Sequence, residues 1–121
     1  MGEREMFRLR DMRESIQDIR ALLEGRAFQI LLTDRTVRAA YERFLEILSE
    51  ASRHVPEAWK AEAPEIPWRR IADLGNHIRH AYNRIDLEIL WDIYARQLDE
   101  LEQAVDRLLE RFGGESPPFA R

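Results

Sequence analysis

The run Pro67-Trp68-Arg69-Arg70-Ile71-Ala72-Asp73-Leu74-Gly75-Asn76-His77-Ile78-Arg79-His80-Ala81-Tyr82 gathers the residue types of this chain that can do chemistry. Read as a helix at 100° per residue, it divides into two faces. Ile71, Leu74, Ile78 and Tyr82 fall on one, with Gly75 beside them. Arg69, Asp73, Asn76, His77 and His80 fall on the other, with Arg70 nearby and Arg79 at the border. An imidazole titrates near neutral pH, so it can take a proton from a hydroxyl or return one to a leaving oxygen. A planar guanidinium can grip a phosphate and stabilise the charge that develops on it. An amide can orient either group. These are the groups that cleave RNA without a metal, because RNA supplies its own nucleophile.

Plainer uses stay open. Asn76 and His80 are an i, i+4 pair that can simply hydrogen-bond on a surface. His77 and His80, with Asp73 one turn earlier, are spaced for a metal, but a single His-x-x-His is weak evidence for one. We therefore expect no metal and no cofactor. A mid-helix glycine costs about 1 kcal/mol relative to alanine, so Gly75 points to the close approach of another backbone.

Four helices are expected to position this face. The first runs from about Glu5 to Glu24, with Leu9, Met12, Ile16, Ile19, Leu22 and Leu23 at helical spacing and Gly25 at its end. The second starts at Thr33 as N-cap and reaches about His54, along Val37, Ala40, Tyr41, Phe44, Leu45, Leu48 and Ala51. Residues 55–67 hold three prolines and read as a loop with one short turn around Trp59. The third runs from Pro67 to about Tyr82. The fourth is capped by Asp86 and carries an unbroken stripe from Leu87 to Leu108 until Gly113-Gly114 ends it. The fold class is all-α, with residues 1–112 as one helical domain and 113–121 as a flexible tail. The stripes are long for so small a chain, and a dimer interface would absorb part of them.

Composition narrows the setting. A chain of 121 residues fits one domain, and 45% hydrophobic with 35% charged residues suits a helical bundle. The net charge is −4, from 19 basic and 23 acidic residues. A general nucleic-acid binder carries a basic excess, so an RNA site here is a local basic patch on an acidic body. The absence of cysteine excludes disulfides and thiolate metal sites and points to a reducing cytoplasm. The N-terminus lacks the apolar core of a signal peptide. The longest apolar cluster, Phe28 to Leu32, is interrupted by Gln29, so no membrane partner is expected.

The words of the sequence also match a known pattern. Ile66-Pro67-Trp68-Arg69-Arg70-Ile71, then Asn76-His77-Ile78-Arg79-His80-Ala81-Tyr82, then Ile85-Asp86-Leu87-Glu88-Ile89-Leu90-Trp91, resembles the signature of HepT-like toxins of the HEPN superfamily. That signature reads approximately IPW-R-x-I, R-N-x-x-x-H-x-Y, then V-D and a nearby W. Phe44-Leu45-Glu46-Ile47-Leu48-Ser49-Glu50-Ala51 resembles its LEIIGEA helix, with Ser49 where Gly is usual. The similarity spans roughly residues 8–110.

The resemblance implies a four- to five-helix HEPN-type up-down bundle that forms a homodimer through its active-site helices. It implies a toxin of a type VII-like toxin–antitoxin system, an endoribonuclease silenced by a minimal nucleotidyltransferase antitoxin through binding and AMP transfer to a tyrosine. His80 matches the catalytic His, Asn76 the Asn and Tyr82 the modified Tyr. The family Arg precedes the Asn, and here that position is Gly75. Arg79 is the nearest replacement, with Arg69, Arg70 and His77 expected to bind substrate. Because adjacent helical residues point about 100° apart, Arg79 either acts across a dimer or reaches round the helix border. The alternative is a non-catalytic module that docks a nucleotidyltransferase or RNA without cutting.

Overall fold

Apolar residues at three- and four-residue spacing bury one stripe of α1 (Glu3–Leu23) in the computed structural model, which describes residues 3–80 and 83–113. Leu9, Met12, Ile16, Ile19 and Leu23 on that stripe are fully enclosed. Gly25 follows with φ of +77°, the left-handed backbone that ends a helix and that glycine adopts without strain.

The second expected helix begins later than its sequence suggests. The Phe28–Leu32 cluster forms a separate turn, α2 (Gln29–Thr33), that buries Leu31. Thr33 is not a cap: its hydroxyl donates back to the Gln29 carbonyl at 3.0 Å. Asp34 takes the role instead, its Oδ1 accepting from the amides of Thr36 and Val37 at 3.0 and 3.1 Å. From there α3 (Arg35–Arg53) buries Val37, Tyr41, Leu45, Leu48 and Ala51. The expected turn around Trp59 is α4 (Glu57–Lys60).

The third expected helix is broken. It consists of α5 (Trp68–Ala72) and α6 (Leu74–Arg79), joined at Asp73 with φ −92° and ψ 3°. In a continuous helix the Ala72 carbonyl would accept from the Asn76 amide. That amide turns instead to the Asp73 carbonyl at 3.0 Å. Three donors from α3 take over the freed Ala72 oxygen: Ser49 Oγ at 3.1 Å, and Arg53 Nε and Nη2 at 3.1 and 2.7 Å.

The fourth expected helix starts at Arg84, because Asn83 rather than Asp86 is its cap; Asn83 Oδ1 accepts from the Asp86 amide at 2.9 Å. It comprises α7 (Arg84–Asp92), one π-helical turn (Ile93–Gln97) and α8 (Leu98–Phe112). The stripe is therefore not periodic throughout, and the cause is a side chain from α3. The buried hydroxyl of Tyr41 donates to the Leu90 carbonyl, and the amide of Tyr94 faces the phenol oxygen. Leu90 and Tyr94 are the two ends of one α-helical bond, so the phenol stands inserted in the ladder, a known source of helix irregularity. At the far end, Gly113 lets α8 close on α1: a Cβ there would lie 2.6 Å from the Leu109 carbonyl and 2.9 Å from Met6 Sδ.

Among the described residues the fold is all-α. α1 packs on α3 and on α8, while α3 also carries α5 and α6. Arg13 pairs with Asp106 at 3.4 Å, and Arg20 with Asp99 and Glu102 at 2.5 and 2.7 Å. The order of these partners makes α1 and α8 antiparallel. Among the described residues the four expected helices appear as three long rods plus the broken α5–α6 rod, with the short α2 and α4 besides. No helix of the described residues is long and apolar enough to cross a membrane. The expected tail, apart from Gly113, and Tyr82 lie outside the described residues.

Candidate active site

Leu74 is buried and Ile78 half-buried, and together they seat α6 against the body so that Asn76, Arg79 and His80 lie exposed. His80 is the residue that ends α6, and its Nδ1 sits 2.8 Å from the backbone oxygen of Asn76. A carbonyl can only accept, so Nδ1 carries the proton. In the neutral ring Nε2 is then the nitrogen with a free lone pair. The backbone has thus selected the tautomer that a general base needs.

Arg79 Nη2 donates to Asn76 Oδ1. Asn76 therefore holds both neighbours, the imidazole through its main-chain oxygen and the guanidinium through its side-chain oxygen. The side chain of Arg79 folds back one helical turn, and a Cβ placed on Gly75 would lie 3.4 Å from Arg79 Nη1. Gly75 accommodates this guanidinium, not the second backbone expected from the sequence. Arg79 reaches round the helix border, as its long stem allows.

The other expected residues do not join this cluster. Arg70 and His77 line a groove of about 460 Å³ between the α5–α6 rod and α7, above Leu74 and opposite Ile85 and Ile89. Ile85 and Ile89 are 69% and 40% exposed, unusual for isoleucine on a helix. Arg69 is exposed on α5 and makes no hydrogen bond or ion pair among the described residues. Arg84 is engaged elsewhere, with Nε 3.2 Å from Glu88 Oε2 and its guanidinium 5.0 Å from the Phe28 ring centre. Among the described residues no three His, Asp or Glu side chains converge as metal ligands.

Sequence reasoning missed the residues behind the site. Ser49 and Arg53 are four apart on α3, a spacing that puts both on one face, and that was the available signal. Nothing in the sequence told which carbonyl they would meet.

Comparison with known proteins finds ribonucleases. A family model described as ribonuclease HepT-like matches residues 12–108. The chain is 33% identical over 100 residues to the probable ribonuclease HepT of Thermococcus cleftensis, covering 83% of this chain and 91% of that protein. It is 29% identical over 107 residues to a candidate RNase of Methanocaldococcus jannaschii, covering 88% of each. A candidate RNase of Caldanaerobacter subterraneus is 27% identical over 99 residues, 79% of this chain and 88% of that one. No solved structure matches.

Proposed function

We propose that this chain, which belongs to the HepT-like ribonuclease family, is a metal-independent endoribonuclease that works as the toxin of a toxin–antitoxin pair. The observation that carries the reading is the double hold of Asn76 on His80 and Arg79. His80 Nε2 takes the proton of a ribose 2′-hydroxyl, and the 2′-oxygen attacks the adjacent phosphorus. The O2′–P bond forms, the P–O5′ bond breaks, and the departing 5′-oxygen takes a proton from an imidazolium. Arg79 stabilises the charge on the non-bridging oxygens.

One imidazole cannot be free base and acid in the same step. A second copy of the chain supplies the other His80, and the exposed Ile85 and Ile89 offer a surface for that homodimer. Arg69 and Arg70 lie on the preceding helix and bind flanking phosphates, and His77 contacts the substrate from the groove. Its setting is cytoplasmic. The partner antitoxin is a minimal nucleotidyltransferase. It silences the enzyme by docking and by transferring AMP from ATP to the Tyr82 hydroxyl, with pyrophosphate leaving.

The rival reading, a module that binds without cutting, draws on Gly75 standing where the resembled motif has Arg. It is disfavoured by the guanidinium of Arg79 lying over that position. The test is purified protein with RNA in EDTA and end-group analysis of the fragments. Products ending in 2′,3′-cyclic phosphate and 5′-hydroxyl support the reading; intact RNA at every enzyme concentration overturns it. Co-expression with a minimal nucleotidyltransferase should add one AMP mass to the Tyr82 peptide, and no addition, or one elsewhere, rules the modification out.

A further inference from the structure

We propose that Ser49 and Arg53 are positioning residues that hold the active-site rod broken at Asp73, and so set where Asn76 presents His80 and Arg79. The proposal rests on the ribonuclease reading of that site. It starts from a conflict. The periodicity of residues 67–82 favours a continuous helix, yet the rod breaks between α5 and α6. Asp73 itself is neither glycine nor proline, and its side chain makes no capping bond.

The cause lies across the interface with α3. The Ala72 carbonyl receives Ser49 Oγ at 3.1 Å and Arg53 Nε and Nη2 at 3.1 and 2.7 Å. Three donors on one oxygen leave no lone pair for the Asn76 amide. That amide bonds Asp73 O at 3.0 Å instead, a one-residue tightening of the turn. Asn76 is the same residue that fixes the His80 tautomer with its backbone oxygen and Arg79 with its side-chain oxygen. The bonds form one path: Ser49 and Arg53 to Ala72 O, the Asn76 amide displaced to Asp73 O, and Asn76 O and Oδ1 to the two catalytic groups. Ser49 is 3% exposed, so its hydroxyl has little access to water and is committed to this bond.

Removing both donors leaves Ala72 O in need of a partner, and the Asn76 amide is the nearest. The rod then closes into the continuous helix and Asn76 turns with it. Arg69 and Arg70 precede the break and keep their place, so substrate binding survives while the reacting groups are misaligned.

The experiment compares wild type, Ser49→Ala/Arg53→Met and Arg53→Lys in RNA cleavage and in imidazole ¹⁵N spectra of His80. The double variant should lose about tenfold or more in kcat with KM within about twofold of wild type. Its His80 nitrogens should shift away from the Nδ1–H pattern. Arg53→Lys, which keeps Ser49 and one cationic donor, should stay near wild type in both. A double variant in which either readout is unmoved overturns the proposal. If wild type cuts no RNA, the ribonuclease reading falls separately, and the His80 spectrum alone decides whether the two α3 residues set Asn76.

Discussion

Arg79 fills the space that a side chain at position 75 would enter: its Nη1 stands 3.4 Å from the point where a Cβ on Gly75 would lie. An alanine there makes an ordinary contact with the end of a flexible side chain. Gly75→Ala should therefore stabilise α6 by at most about 1 kcal/mol in urea unfolding, with cleavage kept. Gly75→Val brings two further methyl groups towards the guanidinium and should cut kcat/KM by about tenfold. The sharper case moves the charge. Arg79→Ala should be nearly inactive, and adding Gly75→Arg should recover part of the loss; no recovery means that the guanidinium does not act from this space.

Tyr41 should matter for stability, because its phenol is inserted between Leu90 and Tyr94. Tyr41→Phe removes the hydroxyl from both and should cost about 1–2 kcal/mol at neutral pH. Burial is the main reason that the phenol pKa is raised. The folded chain thus keeps the phenol neutral while the unfolded chain ionises near pH 10. Its contribution is complete below that pH and is lost as pH rises towards the higher folded pKa. Denaturant midpoints should show the gap between wild type and Tyr41→Phe narrowing above about pH 10; a constant gap would mean that the phenol is not held neutral.

How much of this was legible follows from where each determinant lies. The buried stripes of α1 and α3 are periodic in the sequence itself, so Ile16, Leu45 and their neighbours were assigned correctly. Asn76, Arg79 and His80 could be grouped because they lie within two turns. The breaks could not be seen. The π-helical turn depends on Tyr41, and the break at Asp73 on Ser49 and Arg53, each from a different rod. Tertiary donors there override a local pattern that reads as plain helix. Thr33 and Asp34 are adjacent and both suitable caps, but Thr33 belongs to α2 and its hydroxyl bonds the Gln29 carbonyl, which leaves the cap to Asp34.

Ile85 and Ile89 give the proposed dimer its test. Both line the groove beside His77 and are exposed in one copy. Light scattering of wild type at micromolar concentration should give twice the chain mass. Ile85→Asp/Ile89→Asp should give the monomer mass, with helicity kept and RNA cleavage lost together. A variant that stays dimeric would place the interface elsewhere, and an active monomer would remove the need for a second His80.

In the proposed reaction His80, with Nδ1 tied to the Asn76 carbonyl, moves the proton in RNA cleavage without a metal. The direct measurement is the cleavage rate of wild type and His80→Ala in EDTA, with circular dichroism to show that both are folded. We expect wild type to cut and His80→Ala to fall by roughly 10²–10⁴-fold, the range of general acid–base catalysis. Full activity of folded His80→Ala under the same conditions would mean that His80 does not move the proton.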